Sequence, residues 1–286
     1  MLRLNFNPHL NDDERRSAVF GGTLLFYTAT AESLALTEYA RHLVREAFGG
    51  EDPEHAQEKL SVSAFIDIVG PLKTKFTNSP TTKDLLSAYL KAMGVDAAET
   101  YFDVPRLRVV PHSDFLSAGV SYAYKAHRDI WYSSPTAQIN WWLPVWEVIP
   151  ERTMAFFPEY FERPLENTSA GFDYGEWTAF GRTTATSHSK VDTRKHPLPL
   201  APVEAEEFRY GAAAGDAIVF SASHLHATAP NTSDKTRFSV DFRTINTSDL
   251  AASRGAPNVD SRSTGTTIGD FMRIGDLAPV DTRIAA

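Results

Sequence analysis

Residues 215–242 read GDAIVFSASHLHATAPNTSDKTRFSVDF. A β-branched and aromatic run at 217–221 leads into His224 and His226, a Pro-Asn-Thr-Ser turn follows, and a second run opens at Arg237. Alternate side chains of an extended backbone face opposite ways. Arg237, Ser239, Asp241 and Arg243 therefore share one face, and Phe238, Val240 and Phe242 the other. That split suits a strand between an apolar core and a polar cleft, and equally one with a solvent-facing stripe. In a cleft, the planar fork of Arg237 would suit a carboxylate, and Ser239 could add a hydrogen bond.

Outward from this block, further short strands are predicted at 107–110, 120–124, 138–145, 208–210 and 238–245. Before residue 101 the periodicity is helical, with helices predicted over 31–48, 53–69 and 82–93. Gly49-Gly50, Gly70-Pro71 and Gly94 mark their ends, and Thr81 or Thr82 is the expected N-cap of the third. Short strands after a helical block predict an α+β fold on an antiparallel sandwich or barrel. Residues 150–202 interrupt the strands and read as a long insertion of the lid or binding-loop type. Its aromatics, Phe156, Phe157, Tyr160, Phe161, Phe172, Tyr174 and Trp177, suit a pocket wall, a satellite core or a subunit contact. The stretch 247–286 reads as an irregular tail, either loose or folded over a site.

Composition narrows the chemistry. The 286 residues carry 28 Lys+Arg against 36 Asp+Glu, a formal charge of −8, with no clustered basic run. Nucleic-acid binding is not expected from such a chain. A hydrophobic fraction of 42% excludes wholesale disorder. No apolar run reaches the ~20 residues a membrane span needs. The N-terminal residues lack a charged-then-apolar signal pattern, so a cytoplasmic location is expected. The absence of cysteine excludes disulfides, thiolate catalysis, Cys-ligated zinc and iron–sulfur clusters. Any metal site must use histidines and carboxylates.

Two histidine–carboxylate pairs have i, i+2 spacing: His112-Ser113-Asp114 and His127-Arg128-Asp129. Either could offer an imidazole and a carboxylate on one face. A distant histidine would complete a two-His, one-carboxylate set, which covers one face of an octahedral Fe(II) and leaves three positions open. His226 and His224 compete for that third place; His226 has the better register with the Pro-Asn turn and Arg237. A cupin-type His-x-His would want a nearby Glu, and no carboxylate follows until Asp234. His9, His42, His55, His188 and His196 have no partner at ligand spacing and read as surface or satisfied polar residues. In the strand at 138–145, Gln138, Asn140 and Trp142 share one face and Ile139, Trp141 and Leu143 the other. Gln138 and Asn140 are candidates for the cleft and Trp141 for the core. Arg108, Tyr124 and the alternative clamp Arg243 are weaker cleft candidates.

Two blocks resemble the phytanoyl-CoA dioxygenase-like branch of the Fe(II)/2-oxoglutarate oxygenases. One is His127-Arg128-Asp129; the other is Gly215-Asp216, Phe220, His226, Pro230-Asn231, Ser233 and Arg237. The resemblance covers roughly 105–246. It implies a double-stranded β-helix (jelly-roll) core over 101–246, flanked by N-terminal helices, in a single oxygenase domain spanning 1–286. It also implies Fe(II) ligated by His127, Asp129 and His226, and O2 as co-substrate. 2-Oxoglutarate would be held by Arg237, helped by Ser239; Asn140 and Gln138, placed in the cleft by the strand alternation above, would hydrogen-bond it or the substrate. Halogenases of this type carry Gly or Ala where Asp129 stands, so hydroxylation of an unactivated C–H, with release of succinate and CO2, is the implied outcome. Without a basic patch for nucleotide phosphates, a small amino-acid or specialised metabolite is expected as substrate rather than an acyl-CoA. The competing readings are another non-haem metal enzyme using His112, Asp114 and His224, and a metal-free barrel that binds a small ligand.

Overall fold

The computed structural model describes residues 2–181 and 195–285. It opens with a strand, β1 (Arg3–Phe6), a helix, α1 (Asp12–Phe20), and a second strand, β2 (Thr23–Tyr27). Asn11 and Glu14 cap α1 reciprocally, each side chain taking the other's backbone N–H. The two strands correct the mostly helical reading of 1–100. In β2, Leu25 enters one apolar cluster and Leu24 and Phe26 another, a period-two pattern too short to stand out in the sequence.

Helix α2 (Ala31–Ala47) begins at Thr30, and Gly49 and Gly50 follow its end with φ of 62° and 98°, as the sequence predicts. The helix expected over 53–69 is displaced. Residues Ala56–Glu58 form a single 3-10 turn, and α3 runs Val62–Asn78 from a Ser61 cap, straight through Gly70-Pro71. A proline inside a helix removes one ladder hydrogen bond. Here the buried face Phe65, Ile66, Val69, Leu72 and Phe76 continues on both sides of it and outweighs that cost. Helix α4 (Pro80–Ala92) follows at once, capped by Ser79 rather than Thr81 or Thr82, with Pro80 in its first turn.

The remaining strands are β3 (Thr100–Phe102), β4 (Arg106–Val110), β5 (Ile139–Pro144), β6 (Met154–Phe156), β7 (Phe208–Arg209), β8 (Ala217–Ser221), β9 (His226–Thr228), β10 (Arg237–Asn246) and β11 (Met272–Arg273). The larger sheet runs β1-β2-β8-β5-β10-β3-β11, with β4 beside β3 on the same edge of the long β10. The smaller sheet is β7-β6-β9. No strand forms at 120–124: Gly119 takes a φ of 58° and opens a 3-10 turn over Gly119–Ser121. The 150–202 segment is not wholly irregular, because β6, the middle strand of the smaller sheet, lies within it.

Strand β5 shows how the layers form. Ile139, Trp141 and Leu143 pack into the cluster shared with α2, α3 and α4. Trp142 turns the other way, into a cluster with Leu24, Phe26, Ile218 and Phe220 of the large sheet and Phe156 of the small one. The polar positions Gln138 and Asn140 lie on that inner side, along the wall of a large cavity. Each fully buried side chain of the Trp or Phe class contributes roughly 1.5–3 kcal/mol, so alternation along β5 and β10 fixes their register. Among the described residues no helix is long and apolar enough to cross a membrane.

Candidate metal centre

The two histidines meet across a backbone bridge. His127 and His226 exchange both main-chain hydrogen bonds, each 2.9 Å, where the loop after residue 124 runs beside the start of β9. Between the two members of the first pair, Arg128 points the opposite way and is fully buried. Its Nε donates to Asp260 at 3.1 Å, and its other nitrogens donate to the carbonyls of Ser223, Tyr160 and Arg163. Asp129 opens a 3-10 turn, Asp129–Tyr132, that Ser133 ends in the left-handed region with φ of 63°. Arg128 inside and the turn behind it direct His127 and Asp129 to the same side.

There Asp129 Oδ1 lies 3.4 Å from His127 Nε2 and 3.8 Å from His226 Nε2. The two rings are 4.3 Å apart, centre to centre. His127 Nδ1 donates to the Lys125 carbonyl at 2.8 Å, and His226 Nδ1 donates to the His224 carbonyl at 2.9 Å. A carbonyl cannot donate, so each imidazole carries its proton on Nδ1 and, when neutral, turns a lone pair outward on Nε2. Burial, then the neighbouring His127, pushes His226 down to about 3, which favours that neutral form. Burial opposes ionisation of Asp129, but the guanidinium of Arg243 nearby favours the carboxylate, which is held well below its usual range. Two lone pairs and one anionic oxygen thus converge in a buried space. Such a donor set repels itself unless a cation sits among it, and its composition suits Fe(II) or a similar divalent ion.

The other predicted site residues divide. Gln138 does not face the cavity with a free amide: its Nε2 donates to Asp129 Oδ2 at 3.0 Å and to Asn140 Oδ1 at 2.9 Å. Asn140 lines the cavity, and its Nδ2 is buried without a partner. Arg237 also lines the cavity, with one Nη donating to the Thr153 carbonyl at 2.8 Å and its Nε unpartnered. It is 4% exposed, and no carboxylate among the described residues pairs with it. Burial, then the charge of Arg108, lowers it to about 10. Ser239 is buried on the same strand face, its Oγ unpartnered, but it is not among the cavity-lining residues. Arg243 is engaged already, 3.2 Å from Asp103 and 3.7 Å from both Asp129 and Asp241. Arg108 is bidentate on Asp241 at 3.0 and 2.9 Å.

The rival set does not assemble. His224 Nδ1 accepts the Ser221 N–H at 3.1 Å and its Nε2 donates to the Gly22 carbonyl at 3.3 Å, so both nitrogens are committed to structure. His112 sits before Ser113 and Asp114, both with left-handed φ near 50°, and Asp114 is exposed. His188 lies outside the described residues.

The cavity holds about 1120 Å³. Away from Arg237 its wall is aromatic: Tyr122, Tyr124 and Tyr132, with Phe172, Tyr174 and Trp177 from the 150–202 segment. Phe156, Tyr160 and Phe161 of that segment pack in core instead. Behind the wall, His196 stacks on Tyr122 at 4.1 Å and its Nδ1 lies 3.0 Å from the Tyr132 hydroxyl. The tail adds Thr267, Asp270 and Phe271 to the lining. No sequence motif marked these, because long-range packing alone brings them there.

No family model matches the chain, and no curated protein matches it. Among solved structures, it is similar to the epimerase SnoN in complex with Fe3+, alpha ketoglutarate and nogalamycin RO (14% identity, 82% of this chain, 85% of that chain, TM-score 0.44). It is also similar to AviO1 from Streptomyces viridochromogenes Tue57 (11% identity, 81% and 95%, TM-score 0.40). A third is EvdO2 from Micromonospora carbonacea var. aurantiaca complexed with 2-oxoglutarate (13% identity, 60% and 62%, TM-score 0.39).

Proposed function

We propose that this chain is a non-haem Fe(II)/2-oxoglutarate-dependent oxygenase of the phytanoyl-CoA dioxygenase-like type, with a double-stranded β-helix core. The observation that carries the reading is the convergence of His127 Nε2, His226 Nε2 and Asp129 Oδ1, with both Nδ1 atoms committed to carbonyls. Bound iron supplies activation of O2 and oxidative decarboxylation of the oxo acid, coupled to hydroxylation of an unactivated C–H. The chain's own part is to bind, orient and exclude water. Two neutral imidazoles and one carboxylate leave a ferrous ion with one net positive charge, which favours chelation by the oxo-acid end of a dianion. Arg237, a buried cation in no ion pair among the described residues, suits the far carboxylate, and Ser239 Oγ on the same face of β10 is buried and unpartnered. Asn140, which lines the same cavity as the metal ligands, has a buried Nδ2 without a partner.

A cavity of about 1120 Å³ leaves most of its volume to an organic substrate after a five-carbon diacid is seated. The aromatic wall beside His127 would hold that substrate and keep water from the reacting centre. The test is succinate formation from 2-oxoglutarate under air with added Fe(II). Wild-type protein is expected to turn over slowly without substrate, and Asp129→Ala and His226→Ala each to lose the activity. Equal activity in wild type and both variants would remove the site assignment.

A further inference from the structure

Gln138 reaches the centre through Asp129, bonding the carboxylate oxygen other than the one nearest the imidazoles. It stands just before β5, fully buried, its backbone fixed by bonds to Pro135 and Ala222. A primary amide offers two donors on its nitrogen. Here both are spent, one on Asp129 Oδ2 at 3.0 Å and one on Asn140 Oδ1 at 2.9 Å. Each contact has a consequence. Oδ2 is held by this bond, with Arg243 Nε 3.7 Å from the same oxygen, while Oδ1 is the oxygen near the imidazoles, so the carboxylate would meet an ion through one oxygen. Occupying Asn140 Oδ1 fixes the amide flip of Asn140, because its oxygen must point at the donor. Its Nδ2 is then left as a buried donor without a partner, on a residue that lines the cavity.

We infer that Gln138 is the positioning residue of the centre. Its one nitrogen sets Asp129 to single-oxygen ligation and sets Asn140 to donate toward an anionic oxygen beside the metal, so the site selects a carboxylate-bearing co-substrate. This rests on the metal-dependent reading above. A reversed Asn140 would present an acceptor to the same place and repel such a group, so the orientation discriminates by sign rather than by shape.

The test uses the full chain, anaerobic, with Co(II) in place of iron and 2-oxoglutarate as titrant. Gln138→Met keeps the volume and removes both donors; Gln138→Asn keeps an amide too short to span both acceptors. Circular dichroism of the metal-free proteins identifies any variant that fails to fold. Both variants are expected to weaken Co(II) binding about tenfold and to change the visible cobalt band as the freed Oδ2 swings in. Both should also weaken 2-oxoglutarate binding about tenfold, and that second loss should disappear when Asn140 is already Leu. Overturning results are a folded Gln138→Met with wild-type cobalt affinity and spectrum, or a 2-oxoglutarate loss of full size in the Asn140→Leu background. Failure of the wild type to bind Co(II) would instead overturn the metal-dependent reading on which the inference stands.

Discussion

Arg237 and His224 show how burial assigns roles to single residues. Arg237 is a cation kept out of water and in no ion pair among the described residues, its charge offset at longer range by Asp241 and opposed by Arg108, so an anion that reaches it gains more than it would at the surface. Arg237→Leu is expected to raise the 2-oxoglutarate Kd on the order of 100-fold, while 2-oxobutyrate, which lacks the far carboxylate, binds both proteins alike; isothermal titration reads both. His224 is buried, and burial lowers it to about 4, with a hydrogen bond on each nitrogen in the neutral form only. Its folded pKa lies below the unfolded value, so the unfolded chain takes up the proton first as pH falls. The stability it contributes is present above about pH 6.5 and drains away toward pH 4. From pH 7 to pH 5 the loss is about 2 kcal/mol. Urea unfolding of the metal-free protein should show that acid slope, and His224→Asn should flatten it by one proton. The i, i+2 spacing of His127 and Asp129 was legible, because it needs only local geometry. The choice between His224 and His226 follows from which ring nitrogens the fold has already bonded, and the role of Gln138 depends on where the turn at 129–132 meets β5.

At the scale of elements, the turn that carries Asp129 is held from behind by the tail. Asp260 accepts from Arg128 Nε at 3.1 Å and Trp131 Nε1 at 2.7 Å, and takes the Leu165 N–H at 2.9 Å. Asp260→Ala would leave the Arg128 guanidinium buried and without its anion, a change that costs roughly 3–5 kcal/mol. A drop of that size in urea-derived stability, with weaker Co(II) binding in the folded fraction, is expected; a change under 1 kcal/mol would mean the clamp is not needed. This contact was illegible, since 132 residues separate Arg128 from Asp260 and no local pattern joins them. Strands of two or three residues, such as β6, β9 and β11, escape periodicity for the same reason: their pairing partners make them strands. The longer β8 and β10 were readable, the first as a five-residue apolar run and the second by its polar–apolar alternation. Helix α3 defeated the reading because its buried stripe outvoted Pro71.

For the whole molecule, one long strand, β10, ties the functional wall to the helical layer. Phe238, Val240 and Phe242 anchor it in the core while Arg237, Asp241 and Arg243 line the cavity on its other face. The change from helical to strand-like texture near residue 101 made the α+β class legible. The two-sheet arrangement and the first two strands were not, because they depend on pairing between segments far apart in the chain, as where Leu25 of β2 meets Val219 of β8. The proposed function requires this wall to hold one ferrous ion and one oxo acid together. Anaerobic titration of the protein with Fe(II) and 2-oxoglutarate, followed by visible absorption, tests it directly. A charge-transfer band that saturates at one iron per chain and vanishes in His226→Ala is expected. Iron that binds without the band, or a band that survives in that variant, would contradict it.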